Sequence, residues 1–212
     1  MADVTLTYKG STIAEMSDTG TKTLKTAGKY CEGDIGVSYV KPSSGGGTSG
    51  FWDEDTVRTF LSDRSSLTSV DIPNGITQID HSTFAGFTNL ALTSLPDSIT
   101  VIGDAAFQNC TSLALTSLPE NIMWIHINAF YGCTSLALTS LPASLKFIDY
   151  QAFKGCTNLT TITFKGTPTA IDFGVFSDCT NLTTINVPWA EGAVENAPWG
   201  ATNATINYNY TE

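Results

Sequence analysis

The chain has 212 residues and a formal net charge of −10, with 20 acidic against 10 basic side chains; a field of that sign does not gather polyanions and excludes nucleic acid as a partner. Charged residues make up 14% and hydrophobic ones 42%, a balance that excludes a wholly disordered chain and suits packed β-structure. No apolar run reaches the roughly 18 to 20 residues of a membrane span, so no membrane insertion is expected, and Met1-Ala2-Asp3-Val4-Thr5 lacks the basic-then-apolar pattern of a secretory signal, which predicts a chain made and left in a cytoplasm.

In chain order, residues 1–41 alternate apolar and polar side chains in Val4-Thr5-Leu6-Thr7-Tyr8, Thr12-Ile13-Ala14-Glu15-Met16, Thr21-Lys22-Thr23-Leu24-Lys25-Thr26 and Ile35-Gly36-Val37-Ser38-Tyr39-Val40. That pattern predicts a small all-β module, a four-stranded sheet or sandwich. A unit of this size is marginal alone and is expected to dock on a larger partner. Residues 42–50, Pro-Ser-Ser-Gly-Gly-Gly-Thr-Ser-Gly, have the composition of a flexible linker. Beyond it, residues 51–66 read as a helical N-terminal cap: Asp53 is placed to cap, acidic residues fill the first turn, and Val57, Phe60 and Leu61 share one face.

From residue 67 to residue 188 one pattern repeats every 23 residues. It reads Ile79…Phe84…Phe87…Leu90, then Ile102…Phe107…Cys110…Leu113, Ile125…Phe130…Cys133…Leu136, Ile148…Phe153…Cys156…Leu159 and Ile171…Phe176…Cys179…Leu182, with prolines in step at Pro73, Pro96, Pro119, Pro142 and Pro188. Identical residues one period apart stack into internal ladders at strand spacing, so four of the five cysteines are expected to be buried apolar rungs rather than disulfides or metal ligands. Residues 189–212 carry Trp189, Trp199 and an alternating run from Ala204 to Tyr210, which predicts a β cap over the exposed end of the stack.

These motifs resemble the BspA-like leucine-rich repeat family, known from bacterial surface proteins and adhesins. The resemblance implies a β-rich α/β solenoid of about five to six 23-residue units, each with a parallel strand on a concave side and a short strand with a helical turn on a convex side. Residues 5–14 and 21–31 resemble a small β-module of tail and minor structural proteins in phages and prophages. That second resemblance implies that residues 1–41 attach to a virion or to other phage structural proteins. The two together give as the leading expectation a tail-associated virion protein presenting a repeat module to a host-surface protein or glycan. The alternatives are a bacterial cell-surface adhesin and a scaffold or decoration protein without ligand; a homo-oligomer is compatible with all three.

Chemistry is sparse. The two histidines, His81 and His126, lie about two units apart, no nucleophile or phosphate-loop motif occurs, and Asp80, Asp149 and Asp172 share one repeat position interrupted by Gly103 and His126. No catalysis, cofactor or metal is expected. Recognition is assigned instead to positions that stacking leaves free: Trp124, His126, Asn128, Phe147, Tyr150, Gln151, His81 and Phe173 on the convex side. An alternative is a concave stripe of Leu92, Leu115 and Leu138, supplied by three copies of Leu-Ala-Leu-Thr-Ser-Leu-Pro. A local bulge that buries these leucines and exposes Thr93, Thr116 and Thr139 would remove that stripe.

Overall fold

Segments rich in β-branched and aromatic residues open the chain: β1 (Ala2–Tyr8), β2 (Ser11–Ser17), β3 (Lys22–Leu24) and β4 (Ile35–Tyr39). Their backbones pair antiparallel in the order β3-β2-β1-β4, with Leu6 opposite Ala14 on one side and Val37 on the other. The computed structural model describes residues 68, 72 and 77–211 in full and, before them, the backbone of these four strands. The expected linker at 42–50 and the expected helical cap at 51–66 lie outside the described residues.

From residue 77 the period becomes a solenoid with two parallel sheets. One is built from β5 (Gln78–Ile79), β6 (Val101–Ile102), β7 (Trp124–Ile125), β9 (Phe147–Ile148) and β11 (Ala170–Ile171), with each isoleucine in register with the next. The other contains β8 (Ser140–Leu141), β10 (Thr161–Phe164), β12 (Thr184–Asn186) and β13 (Thr205–Asn207). Between the sheets, Phe84, Phe107, Phe130, Phe153 and Phe176 stack face to face at centroid separations of 5.2, 5.4, 5.3 and 5.6 Å. All five rings are fully or almost fully buried.

Cys110, Cys133, Cys156 and Cys179 are free and buried, as a ladder requires. The thiols do more than fill space. Each Sγ–H donates to the carbonyl of the phenylalanine in the preceding unit, Cys110 to Phe84 at 2.9 Å, Cys133 to Phe107 at 3.0 Å, Cys156 to Phe130 and Cys179 to Phe153 at 3.1 Å. A serine could donate as well, but cysteine adds apolar bulk and makes a weaker donor that is cheaper to desolvate.

The α component of the expected α/β solenoid is corrected: no helix occurs among the described residues. The segment after each isoleucine is a chain of tight turns, and its backbone explains why. Ser82, Ala105, Asn128 and Gln151 have φ between 51° and 58° and Gly174 has 73°; four residues later Gly86, Asn109, Gly132, Gly155 and Asp178 have φ between 58° and 78°. Two left-handed residues per unit forbid a continuous right-handed helix. Hydrogen bonds instead run from unit to unit, as in Ser82 N to Asp104 O and Phe84 N to Ala106 O, both 2.8 Å.

Gly103 breaks the carboxylate position for a steric reason. A Cβ there would lie 2.8 Å from the Ile79 carbonyl oxygen and 3.0 Å from the His81 nitrogen, so the backbones of the first two fully described units approach too closely for a side chain. Gly103→Ala is expected to lower stability by about 1–3 kcal/mol, read as a lower thermal midpoint. An unchanged midpoint would show that the Ile79 strand moves aside freely.

The central and outer units reach the second sheet differently. In the outer units Leu159, Ile162 and Phe164 are buried, an inward spacing of three and then two. In the central units the spacing is reversed: Leu136, Leu138 and Leu141 are buried, as are Leu113, Leu115 and Leu118. The exposed-stripe alternative is thereby corrected. Leu92, Leu115 and Leu138 are 9%, 0% and 2% exposed, and Thr93, Thr116 and Thr139 face solvent instead. Moving one residue of irregular backbone buries a leucine in place of a threonine, which favours the bulged path by roughly 1.5–3 kcal/mol per unit.

At the C-terminal end Trp199 is fully buried, its Nε1–H donating to the Glu195 carbonyl at 2.7 Å, and Trp189 packs edge-on against Phe164. Beside them Asn207 Nδ2 donates to Asn186 Oδ1 at 2.8 Å, and Asn186 Nδ2 to Thr163 Oγ1 at 3.1 Å. This polar ladder runs through β10, β12 and β13.

Candidate functional site

Alternation in the β5–β11 sheet sends the isoleucines inward and the residues on either side outward. Trp124 therefore stands in register between Val101 and Phe147, and His126 follows it two residues along the same strand direction. The indole stacks on the His126 imidazole at 4.6 Å and 16°, and tilts against Phe147 at 4.7 Å and 38°. One unit further on, Tyr150 and Phe173 make the same kind of tilted pair at 4.7 Å.

Polar contacts tie the cluster together. Asp149 Oδ2 accepts from Trp124 Nε1 at 2.9 Å and lies 3.0 Å from His126 Nδ1, while Asp104 Oδ1 lies 3.9 Å from the same nitrogen. Gln151 Nε2 donates to the Tyr150 hydroxyl at 2.9 Å. His81 sits apart, near Ser82 Oγ at 3.2 Å, in the first fully described unit. The Asn128 backbone takes one of the left-handed turn positions, and its Oδ1 is buried without a hydrogen-bond partner.

The structure thus brings Trp124, His126, Phe147, Tyr150, Gln151 and Phe173 onto one surface across three adjacent units, with Asn128 in the turn beside them and His81 at the margin. Sequence reasoning left out Met123 and gave Ile127 no weight, yet they are 49% and 44% exposed, beside Trp124 at 37% and Phe173 at 65%. Register alone identifies Met123: its equivalents are Thr77, Thr100, Lys146 and Thr169, all polar, so this position faces solvent in every unit.

A shallow cleft of about 190 Å³ at the C-terminal end is lined by Ser177, Asp178, Thr180, Gly200, Thr202 and Asn203 beside Phe176 and Cys179. Among the described residues no group of three or more His, Cys, Asp or Glu side chains is arranged to hold a metal ion, and no helix is long and apolar enough to cross a membrane.

A comparison with protein families matches residues 57–183 to the BspA type leucine rich repeat region, in six copies. Among solved structures, the chain is similar to the T. pallidum leucine rich repeat protein TpLRR, with a TM-score of 0.54 at 22% identity over 94% of this chain and 79% of that one. The pneumococcal vaccine antigen PcpA aligns at 16% identity and a TM-score of 0.42, over 69% of this chain and 40% of that one. A leucine rich cell surface protein of Faecalibacterium prausnitzii aligns at 17% identity and a TM-score of 0.37, over 85% and 70%. No curated protein matches in sequence. With six copies of the repeat over more than half of its length, and with the ladders that the repeat demands, the chain belongs to the BspA-type leucine-rich repeat family.

Proposed function

We propose that this chain is a recognition module of the adhesin kind, acting at a bacterial cell surface by binding rather than catalysis, and that the Trp124–Phe173 surface is where it binds. The observation that carries the reading is the contrast within single units. Phe130 and Phe176 are fully or almost fully buried in the same units that leave Trp124, Ile127 and Phe173 in solvent, so the exposure is not a packing failure. A contiguous exposed apolar patch on a well-packed unit marks an interaction site. The family match supports the surface location, since the resemblance points to surface proteins and adhesins. The virion reading of residues 1–41 draws no support from the comparisons, and the adhesin alternative is preferred to it.

Trp124→Ala combined with Phe173→Ala is expected to abolish binding of the full chain to whole cells in a pull-down, with a thermal midpoint close to that of the parent. Undiminished binding by this variant would overturn the assignment of the surface, and a collapsed midpoint with binding intact would make the rings structural. Labelling of intact cells of the source bacterium with an antibody to the solenoid tests the location.

A further inference from the structure

Resting on the recognition surface proposed above, we infer that its partner is a polypeptide segment presenting arginine or lysine among apolar side chains, not a glycan. Two observations carry this. First, the one indole of the surface, the group best suited to stack on a sugar, is already engaged. The Trp124 indole lies against both His126 and Phe147, and its single N–H is spent on Asp149 at 2.9 Å. A pyranose needs an open aromatic face and free donors around it. What stands most exposed is Phe173, Met123 and Ile127, and methionine and aliphatic side chains suit the irregular, adaptable contact of a protein interface.

Second, the charge is one-sided. The outward positions of this face carry Asp80, Asp104, Asp149 and Asp172 against the single lysine Lys146. Asp104 is 51% exposed at the side chain and Asp149 23%, and both lie within 4 Å of His126 Nδ1. The carboxylates border the apolar row, so a bound segment that lays apolar side chains over Ile127 and Phe173 sets a neighbouring cation beside Asp104 or Asp172. The chain's net charge of −10 reinforces the attraction at long range, and complementary charge of this kind sets partner choice and encounter rate.

The test measures fluorescence anisotropy of short labelled peptides of leucine, tyrosine and arginine with the full chain, beside the same peptides with glutamine for arginine and a printed array of neutral glycans. Expected are binding of the arginine peptides, loss of about tenfold or more with glutamine in their place, and weakening as salt rises from about 0.05 to about 0.5 M. Asp104→Asn with Asp172→Asn should weaken the arginine peptides about tenfold while leaving the melting curve in place. Binding of arginine peptides that ignores both this variant and Trp124→Ala with Phe173→Ala is general attraction to an acidic protein and overturns the inference. Glycan binding that is lost in the aromatic variant but kept in the aspartate variant overturns the cationic partner and leaves the surface assignment standing. Cell binding untouched by either variant overturns both.

Discussion

Phe130→Ala is expected to lower the unfolding free energy by about 3–5 kcal/mol, the range for removing a buried phenylalanine. The ring is fully buried and lies between Phe107 at 5.4 Å and Phe153 at 5.3 Å, nearly parallel to both. In a solenoid each unit rests only on its neighbours, so a missing middle rung weakens two interfaces at once. Phe84 makes the informative comparison: among the described residues it stacks on Phe107 and on no second ring of the ladder, and meets Phe87 edge-on at 6.0 Å. Equilibrium urea denaturation should therefore show a larger midpoint shift for Phe130→Ala than for Phe84→Ala. Equal shifts would mean that stability is distributed uniformly along the stack and the ladder has no centre.

Alkaline conditions should unfold the protein through its thiols. Burial pushes the Cys133 and Cys156 thiols well above the ordinary range, assisted by the neighbouring thiols and opposed by a backbone hydrogen bond, and burial likewise pushes Cys179 up to about 12. In the unfolded chain these groups ionise near about 8.5. The folded state then holds protons that the unfolded state releases, so the contribution is fully present below that value and is lost as pH rises toward the folded value. Each such thiol removes about 1.4 kcal/mol per pH unit over that window. Tyrosine and lysine ionisation add slopes of their own, so the decisive quantity is a difference: Cys156→Ala should flatten the fall of stability above about pH 9 by one thiol's share. Identical slopes for parent and variant would show that the thiol is not protected by the fold.

Much of the fold was legible because stacking forces repetition. Ile79, Phe84 and their equivalents must meet their own kind one unit later, and the 23-residue spacing therefore announces the ladders directly. The path of the central units was not legible in the same way. Leu-Ala-Leu-Thr-Ser-Leu-Pro offers a leucine at one of the two inward spacings and a threonine at the other, and the choice rests on the burial of Leu115 against Thr116 in three dimensions. The thiol hydrogen bonds were hidden for another reason: each acceptor carbonyl lies 26 residues before its cysteine, out of phase with the period. The helical turn was implied by the family resemblance, and Ala105 and Gln151 do not advertise a left-handed backbone, although Asn128 is of a type that adopts one readily. At the candidate site, alternation placed Trp124 and Phe147 side by side correctly in advance. It could not show that Asp149 would engage the indole and the imidazole together, since that depends on rotamers and not on register.

The reversed inward spacing of the central units has a consequence for how such a chain changes length. Residues 111–119 and 134–142 are identical in sequence, and both follow the bulged path. A gene that loses or copies one such unit by unequal exchange joins like to like: the phenylalanine, isoleucine and cysteine ladders close over the new junction, and the step to the outer spacing at Thr161–Phe164 stays where it was. The copied unit brings its own outward residues, which no ladder constrains. Lengthening the protein in this way leaves the interior indifferent, and the outward residues of the copied unit are free to change afterwards without disturbing a ladder.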